Sequence, residues 1–150
     1  MKRTDRAASD LRILGPTRVR ILACLAVVTP LGFATKAYAG LGAYWVNSHA
    51  GGVLYVLFWI LVVVFIRPQT STRVAASLVF AVTCLLEVLQ LLSTPILAAV
   101  RSTFLGHALL GSTFSWWDFP DYLLGAVLGV AVVVRATRGG LEPRRAGGRT

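Results

Sequence analysis

The chain has 150 residues, of which 56% are hydrophobic and only 14% charged, and it carries a formal net charge of +9. Soluble domains hold about 25% charged residues, so this balance excludes an ordinary soluble enzyme domain and describes a small polytopic membrane protein built as one domain. The basic excess lies mostly in the two tails and is not interleaved with aromatic residues, which points to topology and lipid contact and away from nucleic acid.

Residues 1–18 form a basic tail, broken at Gly15-Pro16. The first apolar run covers 19–35 and contains Pro30. It is followed by Ala37-Tyr38-Ala39, which has the form of a secretory cleavage site. Cleavage there would leave three spans, but the length of the run, Pro30 and Lys36 favour a retained span. The second run, 51–66, is stopped by Arg67-Pro68, and the third, 74–92, by Ser93-Thr94-Pro95. The fourth, 122–134, is lengthened at its start by 116–121. With their flanks, all four approach the roughly 20 residues that cross a bilayer. The expected fold is therefore all-α, with four transmembrane helices in a membrane domain at 19–135 and basic tails at 1–18 and 136–150. The connection 93–117 is long and apolar, with Gly106 and Gly111 to permit turns. It is expected to form an interfacial helix or a re-entrant segment. Trp116, Trp117 and Tyr122 are expected to lie at headgroup level as an aromatic belt.

All the basic residues except Lys36 and Arg101 fall on one side of this arrangement. The positive-inside rule makes that side cytoplasmic, with both termini inside and the connections 36–50 and 93–120 outside.

Glu87 is the outlying residue. An ionisable group within a span costs about 2.5–3.5 kcal/mol on insertion scales and marks a functional site by default. Gln90 follows it by three, on the same helical face. The topology gathers Lys36, Asn47, His49, Arg101, His107 and Asp118 at the same outer end, and Asp121 begins the fourth helix, where a carboxylate suits the helix dipole. Arg101 is the expected partner of Glu87 or Asp118, because a guanidinium satisfies a carboxylate with two parallel bonds. Three uses stay open for Glu87 and Arg101: pinning the outer segment to the bundle, binding a ligand, or catalysis. His49 and His107 read as solvated or hydrogen-bonded. Cys24 and Cys84 read as small core residues, and no spacing suggests a metal or cofactor site. Gly125 and Gly129 form a G-x-x-x-G that serves either packing within the bundle or a homo-oligomer.

Glu87-x-x-Gln90, then Val100-Arg101-Ser102-Thr103 with Gly106 and Gly111, then Phe114-Ser115-Trp116-Trp117-Asp118 and Tyr122-x-x-Gly125-x-x-x-Gly129 resemble the bacterial membrane family called domain of unknown function 2809. Residues 45–56 look like that family's approach to its second helix, and the likeness covers about 20–135. The order Glu-x-x-Gln, Arg, Asp is also remotely similar to the VanZ-like group, named for teicoplanin resistance. The resemblance implies a bacterial cytoplasmic membrane protein whose polar set falls on Glu87, Gln90, Arg101, Asp118 and Tyr122. It further implies a Gly-Asp pair where this chain has Gly51-Gly52, which leaves Asp121 as the nearest acidic substitute. It implies no activity. The expected function is binding of a lipid-linked or amphiphilic molecule at the outer leaflet. In that reading Arg101 takes an anionic headgroup, Glu87 and Asp118 orient Arg101, Gln90 and Tyr122 add hydrogen bonds, and Asp121 joins the ligand-binding set. The alternatives are a membrane enzyme acting on a lipid headgroup, with Glu87 in acid–base chemistry, and a small oligomeric transporter.

Overall fold

The structure is a computed structural model, and it describes residues 15–91, 98–100, 102, 103, 106 and 114–138. Four helices are long and apolar enough to cross a membrane: α1 Gly15–Ala37, α2 Ala43–Ile66, α3 Thr72–Leu89 and α4 Asp118–Arg138. Among the described residues there is no strand. Their outward faces carry Leu22, Phe33, Leu78, Leu85, Leu123 and Val127, all exposed. In water such continuous apolar surface is a liability. In lipid it is the ordinary exterior of a helix whose backbone groups are satisfied internally.

The helix limits follow from local chemistry. Pro16 stands in the first turn of α1, where the absent N–H is one of the helix's orphans anyway. Pro30 lies inside α1 without ending it, as neighbouring helices permit in a membrane span. The chain reverses over 38–42, with Gly42 at φ 74°, the left-handed region open to glycine. α2 then begins at Ala43, eight residues before the apolar run that announced it. Its first part includes a π turn over Val46–Ala50, continuous with the α-helix from Gly51. Asn47 and His49, expected in an outer loop, therefore lie on a helix. Arg67-Pro68 ends α2, and Ser71 restarts the chain as N-cap of α3, its Oγ accepting the Val74 N–H at 3.3 Å. α4 begins at Asp118, ahead of the 122–134 run. Pro120 falls in its first turn, where it costs no helical bond, and Asp118 and Asp121 face the positive end of the dipole.

The helices alternate in direction. α2 and α4 make the most extensive contact. α1 packs on α2 and, less, on α4, while α3 packs on α4 and α2. Ile21, Val56, Ile60, Leu61 and Val133 fill the centre. Gly125 and Gly129 decide how closely α4 approaches α2. A Cβ on Gly125 would stand 2.6 Å from the Val53 carbonyl oxygen, and one on Gly129 would stand 2.6 Å from Ile60 Cδ1. Of the two uses open to this glycine stripe, the structure shows packing within the chain, and both glycines are buried there.

Most of the connection between α3 and α4, expected as an interfacial or re-entrant segment, lies outside the described residues, Arg101 and His107 among them. Of its described part, residues 98–100 are helical.

Candidate functional site

The C-terminal ends of α1 and α3 and the N-terminal ends of α2 and α4 meet at one end of the bundle, here termed the far end. The near end holds Arg18, Arg20, Arg67, Arg73, Arg135 and Arg138. There Arg20 Nη1 donates to the Ala136 carbonyl at 3.1 Å.

Glu87 is 1% exposed. Burying a carboxylate is tolerable only when its oxygens are supplied with donors. Oε1 accepts the Ser115 backbone N–H at 2.8 Å. Oε2 accepts Gln90 Nε2 at 2.8 Å and the Tyr122 hydroxyl at 2.9 Å. The carboxylate thus ties α3 to the segment before α4 and to α4 itself through three neutral donors. The expected cationic partner, Arg101, lies outside the described residues. The bond to Glu87 also fixes the Gln90 amide, since a carboxylate needs the nitrogen side, and it leaves Gln90 Oε1 buried with no partner among the described residues.

Tyr122 reaches Glu87 because Gly52 has no side chain. A Cβ there would meet the Tyr122 ring at 3.3 Å and Asp121 Cβ at 3.4 Å. Tyr122 is therefore a half-buried internal donor, not part of an aromatic belt. Trp116 and Trp117 are 75% and 70% exposed, and Trp45 is 64% exposed beside them at the same end.

The sequence reading missed a second constellation. His49 Nδ1 lies 2.8 Å from Asp121 Oδ2, joining α2 to α4 across 72 residues. The two side chains are 21% and 13% exposed. Accepting by an ionised carboxylate would place the imidazole proton on Nδ1, and Nε2 points away from this contact. Trp45 and Trp117 stand beside the imidazole, with centroids at 5.3 and 6.3 Å. No spacing rule connects His49 with Asp121. The only hint was that the assumed topology put both at the outer end.

Two further groups complete the far end. Lys36 Nζ donates to the Asn47 carbonyl at 3.2 Å, and Asn47 Nδ2 donates to the Tyr38 carbonyl at 3.1 Å, closing the α1–α2 connection. Asp118 is half-buried and lies in the field of Glu87, Asp121, His49 and Lys36. Its carboxylate has no donor among the described residues. Glu87 and Tyr122 are thus bonded to each other within the bundle, whereas Asp118, His49, Lys36 and Gln90 Oε1 keep hydrogen-bonding capacity. Among the described residues, no three His, Cys, Asp or Glu side chains converge as metal ligands.

Four apolar helices with an ionisable cluster at one end define a multi-pass membrane protein. The chain belongs to the family described as Protein of unknown function (DUF2809), which it matches over residues 41–126. That match takes in α2, α3 and the first two turns of α4, and so every described member of the far-end cluster except Lys36 and Tyr38. No curated protein and no solved structure matches the chain.

Proposed function

We propose that the far end binds a lipid-linked or amphiphilic molecule at the outer leaflet of a bacterial cytoplasmic membrane. A cell-envelope precursor or a lipophilic antibiotic is the class of ligand in view. In this reading both termini are cytoplasmic, as the basic near end favours. The observation that carries the proposal is the pairing of unspent polar groups with exposed indole rings at a single end of an otherwise apolar bundle. Such groups at headgroup depth suit a molecule with a polar head and an apolar tail. The knot of Glu87, Gln90 and Tyr122 is the floor of the site. Asp118, Asp121 and Arg101 are assigned to the ligand, with Arg101 available to an anionic part of it.

The test is native mass spectrometry of the purified protein with its co-purifying lipids, in the wild type and in Asp118→Asn and Arg101→Ala. A defined bound species lost in both folded variants supports the site. Equal occupancy by the same lipids in all three assigns these residues to structure and removes the proposal.

A second reading, a membrane enzyme acting on a lipid headgroup, is favoured by the His49–Asp121 pair, since a carboxylate-oriented imidazole is the arrangement general bases use. Turnover of extracted lipids by purified protein separates the two, because a pure binder gives none.

A further inference from the structure

We infer that the part of the headgroup seated at His49 Nε2, beside Trp45 and Trp117, is neutral and hydroxyl-bearing, such as a sugar. The inference rests on the binding reading above and names the chemistry of its ligand. His49 is held at Nδ1 by Asp121 at 2.8 Å, so the ring cannot turn to satisfy its other nitrogen. Nε2 has no partner among the described residues. What it requires of a ligand depends on its proton. A neutral ring needs a donor there, and an imidazolium needs an acceptor. Phosphate fits only the second case and ammonium only the first. A hydroxyl donates and accepts, so it fits both.

The surroundings favour the same class. Asp121 Oδ2 is taken up by His49, Lys36 is bonded to the Asn47 carbonyl, and Glu87 is supplied by three donors. Asp118 retains carboxylate oxygens that accept from hydroxyls. The two indoles beside His49 are largely exposed, and their electron-rich faces suit the C–H face of a sugar ring.

The experiment measures retention of three lipids with matched acyl chains by native mass spectrometry. They are monoglucosyl diacylglycerol, phosphatidylethanolamine and phosphatidylcholine, presented in a zwitterionic detergent that carries no hydroxyl. The wild type is expected to retain the glucosyl lipid about tenfold better than either phospholipid, the change associated with about one hydrogen bond. His49→Phe keeps the ring volume and is expected to abolish that preference. Trp117→Ala is expected to reduce it, with circular dichroism and gel filtration showing that both variants fold. In the wild type, titration with the glucosyl lipid should also shift the ¹⁵N resonance of His49 Nε2 and leave Nδ1 in place. Equal retention of the three lipids, or a glucosyl preference that survives in folded His49→Phe, overturns this inference and leaves the binding reading standing. If no lipid of any class is retained by the wild type, both fall together. Preference for phosphatidylethanolamine would assign the site to an ammonium and overturn the hydroxyl.

Discussion

The contact between α2 and α4 offers a sharp quantitative test, because its two glycines meet different obstacles. In Gly125→Ala the new methyl stands 2.6 Å from the Val53 carbonyl oxygen, 2.9 Å from Val56 Cβ and 3.2 Å from Val53 Cα. Two of these three atoms are backbone, so neither can swing aside, and α4 must move off α2 along the largest interface of the bundle. Overpacking of this kind costs about 1–3 kcal/mol. In Gly129→Ala the nearest atom is Ile60 Cδ1 at 2.6 Å, the tip of a side chain that can leave its rotamer for about 0.5–1.5 kcal/mol. Both substitutions gain about 1 kcal/mol of helix propensity, which cancels in the comparison. Gly125→Ala should therefore be less stable than Gly129→Ala by about 1 kcal/mol or more. The assay is equilibrium unfolding in mixed micelles by titration with a denaturing detergent, read by circular dichroism. A Gly129→Ala variant as unstable as Gly125→Ala, or more so, would refute the geometric argument. Two neutral variants would mean that α2 and α4 are not in close contact.

Four other outcomes are expected. Glu87→Ala strands the donors of Gln90, Ser115 and Tyr122, and should be less stable than Glu87→Gln, which still offers an oxygen to Ser115, by about 1–3 kcal/mol; the same unfolding titration reads the difference. Tyr122→Phe removes one bond of that knot while keeping the ring against Gly52, and should cost about 1–2 kcal/mol. Ser71→Ala removes the cap of α3 and should cost about 0.5–1 kcal/mol, seen as an earlier detergent midpoint. With Cys24 and Cys84 replaced by Ala, a cysteine at position 36 should react with an impermeant thiol reagent in intact cells and one at position 67 should not; the reverse pattern would invert the proposed orientation.

The sequence made the architecture plain because lipid imposes a strong rule. Every span must be apolar and helical, and four runs satisfied it. It was less informative where a helix carries polar residues. α2 begins at Ala43 because a helix entering a membrane interface tolerates Asn47, Ser48 and His49, which composition alone marks as loop. The site was legible in part. Gln90 was placed beside Glu87 by helical spacing alone, and that bond is present. The Ser115 bond was not legible, because a backbone N–H has no residue signature. Tyr122 was picked out by family resemblance, and only the missing side chain at Gly52 shows why it points inward. The pair of His49 and Asp121 depends on the register of α2 against α4, which is set by the close approach at Gly125 and Gly129 and by the π turn. No local pattern records that register.

The bonds to Glu87 also bear on the order of synthesis. Tyr122 lies 35 residues after Glu87 in the chain, so at about 5–20 residues per second the ribosome delivers it about 2–7 s later. During that interval α3 presents a buried-type carboxylate to the insertion machinery with two of its three donors not yet made. A chain ending before Ser115 should therefore enter the membrane through α3 less completely than the full chain, and Glu87→Leu should remove the difference. α3 and α4 would then enter lipid as a hairpin, with the later helix neutralising the polarity of the earlier one.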